Sequence, residues 1–148
     1  MFPATTDRVS AHTAAEINRH LRQEAEERIA HCARHPEDIA ARLYELDHEW
    51  DIERVLEAAA SGIFLTGTVL GIARRRRRWL VFPGIVATFL LLHATHGWCP
   101  PLPVLRRLGV RTQGEIDAER YALKALRGDF AGVERDEPRT ALAAAAGF

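Results

Sequence analysis

Two histidines and a cysteine, each three residues from the next, are the side chains with the clearest chemical potential in this sequence. His93, His96 and Cys99 offer imidazole nitrogens and a sulfur, which zinc or a haem iron accepts as ligands. His93 and His96 share one face of a helix, and Cys99 can meet them after a bend. The spacing is not that of a standard structural zinc motif, and no fourth ligand is evident. Polar residues near the end of a membrane helix are therefore the simpler interpretation.

Cys99 is also the candidate catalytic residue, because an accessible thiolate can act as a nucleophile or carry sulfur. It follows the C-terminal end of a predicted helix, where the partial negative charge argues against a strongly activated nucleophile. A structural cysteine in a tight turn is the alternative. The sequence identifies no cofactor.

The elements that must position these residues are defined by an unusual segregation of charge. Residues 1–57 carry 13 acids and 7 arginines, whereas 58–73 and 79–105 contain no Asp, Glu, Lys or Arg. A helix on the surface of a soluble domain normally has a charged, wet face. Two stretches without such a face predict a membrane protein, and the lipid bilayer is its expected partner.

The segment 79–98 is the stronger of two predicted membrane spans. As a helix its 20 residues extend about 30 Å, the thickness of a bilayer's hydrocarbon core. Its nine Leu, Ile, Val and Phe residues contribute about −3 to −5 kcal/mol toward insertion. The segment 58–73 has six such residues and is marginal alone, so we expect it to insert as the first leg of a hairpin.

Small residues in the first span predict close packing of helices. Gly67 and Gly71 form a GxxxG pattern, and Ala58 and Gly62 form a second small-xxx-small pair. Small side chains let two helix backbones approach closely in lipid. The packing partner is either the second leg of the hairpin or another copy of the chain.

Aromatic and basic residues mark the predicted membrane interface. Tryptophan favours the headgroup layer, and the positive-inside rule places an arginine-rich turn in the cytoplasm and both tails outside. Exporting a 57-residue tail without a signal is demanding, so the orientation stays open. The interface residues are Trp50, Arg74, Arg75, Arg76, Arg77, Arg78, Trp79 and Trp98.

The flanks of the hairpin are predicted to be amphipathic helices. Apolar residues recur every three or four positions from Ile17 to Cys32 and from Ile39 to Trp50, which gives each helix one apolar stripe. Pro36 opens the second helix, and nothing before residue 58 breaks it, so we expect it to continue into the first span. We expect both stripes to pack on helices of this chain or of a second copy.

The predicted fold class is therefore all-α, with a two-span transmembrane hairpin, amphipathic N-terminal helices and a short C-terminal helix. The predicted regions are 1–52, polar and amphipathic; 53–110, the transmembrane hairpin; 111–130, a C-terminal helix; and 131–148, a disordered tail.

The residues after the second span resemble a known family. An apolar helix is followed by Gly97, Trp98, Cys99, Pro100, Pro101 and Leu102, and then by Arg107, Leu108 and Gly109. This pattern resembles the YgaP-like inner-membrane hairpin family over roughly residues 53–110. The second proline, the acidic N-terminal helices and the C-terminal extension depart from the family pattern.

The resemblance implies an integral inner-membrane protein without a settled activity. Some family members carry a fused rhodanese sulfurtransferase domain, but no region here has the strand and helix alternation of such a domain. In fused members the tails are expected in the cytoplasm, which conflicts with the arginine turn.

Three functions are left open by the sequence. The first is a membrane scaffold or accessory hairpin that associates with itself or with a membrane partner. The second is a membrane-tethered protein that handles thiols or sulfur through Cys99. The third is a soluble helical oligomer that buries its apolar segments between subunits. Nucleic-acid binding is not expected, because no basic face with interleaved aromatic residues is present.

Overall fold

The computed structural model describes residues 8–75, 77–133 and 138–146, and within these ranges it is all-helical without a strand. The all-α prediction is confirmed. Short 3-10 turns occur at Ser10–His12, Pro36–Asp38 and Arg77–Leu80. The helices are α1 (Ala15–Arg34), α2 (Ile39–His48), α3 (Ile52–Ala73), α4 (Val81–His96), α5 (Leu102–Arg107), α6 (Gln113–Arg127) and α7 (Pro138–Ala146).

The chain divides into two compact units. The hairpin unit comprises the described residues of Met1–Arg19 and Trp50–Gln113, and the polar unit comprises those of His20–Glu49 and Gly114–Phe148. These units differ from the consecutive regions expected from the sequence. The described residues up to Arg19 belong to the hairpin unit, and α2 belongs to the same unit as α6.

The expectation of one helix running from Pro36 into the first span is wrong. α2 ends at His48, and the backbone is extended at Glu49 and Asp51 before α3 begins at Ile52. The Asp51 side chain accepts a hydrogen bond from the backbone amide of Arg54 at 2.7 Å. An aspartate that satisfies an orphan amide in this way starts a new helix.

Two glycines allow α3 to approach the second leg of the hairpin. A Cβ on Gly67 would lie 2.8 Å from Pro83 Cγ, and one on Gly71 would lie 2.9 Å from Leu80 Cδ2. A larger side chain at Gly67 would collide with the Pro83 ring and push the legs apart, whereas one at Gly71 would first displace the end of the Leu80 side chain. The glycines therefore form the packing seam between α3 and α4.

The end of α4 is closed by a second close approach. Gly97 is left-handed, with φ +77°, and a Cβ there would lie 2.5 Å from the Arg8 carbonyl oxygen. Glycine is required both by its φ and by the adjacent backbone. This contact fastens the described N-terminal residues to the end of the second leg.

Each unit has its own apolar core. The hairpin unit buries Val9, Ile52, Leu56, Cys99 and Leu102. The polar unit buries apolar residues from both predicted N-terminal stripes and from α6, which confirms that these stripes pack on helices. Its core residues are Cys32, Ile39, Leu43, Leu46, Ile116 and Leu123.

The C-terminal residues contain a further helix. Within 131–148, for which the sequence predicts a disordered tail, the structure has α7 over Pro138–Ala146. Alanine is the best helix former, and the Lys124 ammonium donates to the Ala145 carbonyl oxygen at 2.7 Å. Residues 134–137 and 147–148 of that predicted tail lie outside the described residues.

Candidate functional site

A cluster of charged side chains lies at the end of the hairpin away from the arginine turn. Arg8 Nη2 donates to Glu53 Oε1 at 2.9 Å, and His93 Nε2 lies 2.9 Å from Glu53 Oε2. Arg8 Nη1 also donates to the Ala94 carbonyl oxygen at 3.2 Å. Three separate parts of the chain thus meet at one carboxylate: the N-terminal segment, the first turn of α3 and the last turns of α4.

The surroundings of Glu53 favour its charged form. Glu53 lies before the apolar segment 58–73, and its hydrogen bond with His93 is the main reason that its pKa is lowered to about 2. Burial of Glu53 raises its pKa. The hydrogen bonds and positive charges of His93 and Arg8 lower the pKa by more than burial raises it. The carboxylate is therefore ionised throughout the physiological range.

Glu53 also determines the chemistry of the His93 ring. An ionised carboxylate can only accept hydrogen bonds, so Nε2 is the protonated nitrogen in the neutral ring. His93 is 4% exposed, and its Nδ1 atom is buried without a hydrogen-bond partner among the described residues. Cys99 lies beside the ring and is 3% exposed. Nδ1 is therefore the ring nitrogen that meets no described residue in hydrogen-bonding geometry, and the Cys99 thiol is the polar group beside it.

An apolar cavity of about 320 Å³ adjoins this cluster within the hairpin unit. His93 and Cys99 contribute to its wall at one end of the hairpin, and the rest of the wall is aliphatic, aromatic or proline. The lining residues on α3 are Val55, Leu56, Ala59, Ala60 and Ile63; those on α4 are Val86, Phe89, Leu90 and His93; and those that follow are Cys99, Pro100, Pro101 and Leu105.

The proposed metal ligands are only partly brought together. His93 and Cys99 are buried side by side, whereas His96 is exposed. Across the described ranges, no group of three or more His, Cys, Asp or Glu side chains is arranged to hold a metal ion. The structure therefore brings together two of the three candidate ligands, because the turn at Gly97 carries Cys99 into the core of the hairpin unit beside His93.

The four small residues of the first span have different surroundings. Gly67 and Gly71 are buried against the second leg of the same chain, as described above. Ala58 is exposed, and nothing lies within 4 Å of a Cβ built on Gly62. The GxxxG pattern thus serves the hairpin itself, and the earlier pair leaves an open strip on α3.

The predicted interface residues lie near the two ends of the hairpin. Trp50 is half exposed with the Arg54 guanidinium 4.6 Å from its ring centre, and Arg74 lies 5.6 Å from the ring centre of Trp79. Trp98 is exposed beside Cys99. Arg74 and Arg78 are exposed, and so is Arg75, which adopts a left-handed backbone. Arg76 and the side chain of Arg77 lie outside the described residues.

Sequence reasoning missed Arg8 and Glu53. The acids at Glu45, Asp47, Glu49, Asp51 and Glu53 look like one spread of solvated charge. The position of Glu53 could have been predicted from helical periodicity. Glu53 lies three residues before Leu56, so both are on the face that α3 buries. Arg8 gave no signal, because it meets Glu53 only through the tertiary fold.

A second buried carboxylate, Glu119, lies in the polar unit. Glu119 is 1% exposed, and Arg42 Nε donates to its Oε1 at 2.8 Å while Arg28 Nη2 donates to its Oε2 at 3.2 Å. These contacts join α1, α2 and α6. With guanidinium partners from two other helices, Glu119 acts as a structural cross-link.

Comparison of the chain with protein-family models, with curated proteins and with solved structures finds no match. The resemblance to the YgaP-like family is therefore carried by the quoted residues alone and stays a prediction.

Proposed function

We propose that this chain is a two-span protein of a bacterial-type inner membrane, in which the α3–α4 hairpin serves as a scaffold or accessory subunit rather than an enzyme. The observation that carries the proposal is the outward orientation of the apolar side chains on both legs. In this proposal the hairpin lies in the lipid bilayer. It binds either another membrane protein or a second copy of this chain.

The apolar surface of the hairpin supports a membrane location. The ranges Pro36–Ala73 and Arg78–His96, which contain α3 and α4, each include a window long and apolar enough to cross a membrane, and only 17% and 11% of these windows are buried. A core helix of a soluble protein would instead bury most of such a window. The exposed side chains include Ile63, Phe64, Leu65, Val69 and Ile72 on α3 and Val81, Phe82, Ile85, Phe89, Leu90 and Leu91 on α4.

The hydroxyl groups of the hairpin support the same location. All five Ser and Thr hydroxyls in 58–73 and 79–98 donate to a backbone carbonyl oxygen three or four residues earlier in their own helix. In hydrocarbon there is no water to receive these donors, so bonding within the helix removes the cost of inserting them. The residues are Ser61, Thr66, Thr68, Thr88 and Thr95.

The charged cluster supports a structural role for the end of the hairpin. Contacts of Arg8 and His93 with the Glu53 carboxylate, and of Arg8 with the Ala94 carbonyl oxygen, fasten the N-terminal segment to both legs. Together they tie the last turns of α4 to the first turn of α3. Such a rigid end is suited to holding a second membrane helix in place.

The test compares two leucines that are equally exposed but differ in expected surroundings. Leu65 lies in the middle of the first span and is 64% exposed, and Leu108 lies after the hairpin and is 73% exposed. In lipid, Leu65→Lys is expected to cost about 3 kcal/mol of insertion, enough to release this marginal span, whereas Leu108→Lys is not. In water both changes would be nearly neutral.

The measurement is the fraction of full-length protein that stays with vesicles after a carbonate wash and flotation. Retention of the unmodified chain and of Leu108→Lys, with loss of Leu65→Lys, is the expected result. Release of the unmodified chain would refute the membrane proposal and favour the soluble helical oligomer.

A thiol-dependent role is the second candidate, and the position of Cys99 beside His93 favours it. An imidazole next to a thiol can take up its proton when the thiol reacts. If Cys99 carries sulfur or forms a mixed disulfide, a small alkylating reagent should label it faster than Cys32.

Cys32 is the matched control, since it is also buried and its burial raises the pKa of the thiol. The measurement is the labelling rate of the single-cysteine variants Cys32→Ser and Cys99→Ser at neutral pH. Equal, slow labelling of both thiols would leave Cys99 a structural residue.

A further inference from the structure

The cavity of the hairpin unit is elongated along the two legs. Its wall runs from Val55 to Ile63 on α3 and from Val86 to His93 on α4. Eight residues of helix correspond to a length of about 12 Å. The end at His93 lies within two turns of the predicted interface, and the end at Ile63 and Val86 points along the spans toward the middle of the bilayer. A long, narrow molecule with one polar end matches this shape and direction.

The polar end of the cavity has an unused hydrogen-bonding atom. His93 Nε2 is committed to Glu53, and Nδ1 is buried without a partner among the residues that the structure describes. Buried polar atoms are normally paired, so an unpaired one beside a cavity points to a ligand group. Nδ1 accepts a hydrogen bond when the ring is neutral and donates one when the ring is charged.

The charge around His93 selects the kind of ligand group. A hydroxyl can either donate or accept, so it pairs with Nδ1 in both protonation states. A carboxylate would place a full charge in a cavity whose remaining wall is aliphatic, aromatic or proline, and burying that charge costs far more than burying a hydroxyl that is hydrogen-bonded to Nδ1. An uncharged hydroxyl is therefore favoured over an acid.

We infer that the cavity binds an uncharged lipophile with a straight alkyl chain and a terminal hydroxyl group. The hydroxyl lies on His93 Nδ1, and the chain runs between α3 and α4 toward Ile63 and Val86. This inference rests on the proposed membrane location, because such molecules reach the cavity from the bilayer. It assigns the scaffold a small-molecule ligand in addition to any protein partner.

The test uses decanol with a photoreactive diazirine in its chain and the full-length protein in phosphatidylcholine vesicles. Flotation first establishes how much protein is inserted, and mass spectrometry then locates the labelled residues. Labelling at Ile63, Val86 and Phe89 is expected, and unlabelled decanol should compete for it about tenfold better than decane, the equivalent of one hydrogen bond. Decanoate at pH 8 should compete poorly.

A matched pair of variants tests whether the cavity is the site. Ala60 lines the cavity and Ala87 does not. Ala60→Phe should fill the cavity and reduce the competed labelling at least tenfold, and Ala87→Phe should leave it unchanged. His93→Leu should remove the preference for decanol over decane, because leucine has no hydrogen-bonding group.

Two results would overturn the inference. Equal competition by decane and decanol on the unmodified chain would mean that any alkyl chain fills the cavity. Labelling confined to exposed positions such as Leu91, and not reduced by Ala60→Phe, would mean that no site exists there. If the chain does not float, the membrane proposal fails separately, and the same competition on the soluble protein still decides whether the cavity binds decanol.

Discussion

The hairpin unit and the polar unit bury their side chains in opposite ways. In the polar unit the apolar stripes of α1, α2 and α6 meet in a core, and charged residues cover the outside. In the hairpin unit most of the large apolar side chains of α3 and α4 are exposed, and a charged cluster with Arg8, Glu53 and His93 is half-buried or buried at one end. One unit of the chain therefore buries most of its large apolar side chains, and the other leaves most of them exposed.

The difference also separates the two buried carboxylates. Glu119 is enclosed by two arginines from other helices and joins three helices of the polar unit. Glu53 is shared between one arginine and one histidine whose second nitrogen adjoins a cavity. Glu119 therefore has a structural role, since arginines from two helices bind it. Glu53 orients a histidine that still has an unpaired nitrogen beside a cavity, which is an arrangement suited to binding a ligand.

The largest effect is expected for loss of the Glu119 carboxylate. Glu119→Ala leaves Arg28 and Arg42 without this acceptor, and breaking such a buried ion pair costs about 3–5 kcal/mol. Hydrogen exchange of the α6 amides should accelerate accordingly, with the hairpin amides little changed. The control Glu26→Ala, at an exposed position of α1, should stay within about 0.5 kcal/mol. Equal effects of the two changes would contradict the role given to Glu119.

A smaller, pH-dependent effect is expected for Glu53. Because its folded-state pKa lies near 2, below the ordinary value of 4.5, its contribution to stability is complete above about pH 4.5 and is lost as the pH falls toward 2. Glu53→Gln removes that dependence. Thermal unfolding in detergent between pH 2 and pH 7 should therefore show the unmodified chain and the variant converging at low pH. Parallel profiles would show that Glu53 is not held in its charged form.

The smallest of the three effects separates packing within the chain from packing between chains. Gly67→Leu places a side chain against Pro83 and should destabilise the hairpin by about 1–3 kcal/mol. Gly62→Leu meets nothing within 4 Å and should leave the hairpin intact. Thermal unfolding reports the first effect, and chemical crosslinking reports self-association. If Gly62→Leu alone abolishes crosslinked multimers, the open strip at Ala58 and Gly62 is the contact between copies.

Much of the hairpin could be predicted because its signal is local. The uncharged segments, the five arginines and Gly67 with Gly71 define two legs and a turn without any tertiary information. The helix start at Asp51 could also have been predicted, because aspartate is a common capping residue. It was missed because acids occupy every second position from 45 to 53, so Asp51 did not stand out.

The site could not be predicted because its contacts join distant parts of the chain. Arg8 and Glu53 are 45 residues apart, and His93 and Glu53 are 40 apart. The positions of the three candidate metal ligands could not be predicted for a related reason. A three-residue spacing keeps His93 and His96 on one helix but says nothing of the left-handed turn at Gly97, which separates Cys99 from His96.

The close approach of Gly97 to the Arg8 backbone has a consequence for biosynthesis. A ribosome makes Arg8 long before Gly97, so the N-terminal segment has no finished surface to rest on until both legs have been translated. The first described residues to be synthesised are therefore among the last to reach their folded position. The Arg8 guanidinium, which neutralises Glu53, takes its place together with this segment. The two legs of the hairpin therefore pack before the ion pair between Arg8 and Glu53 forms.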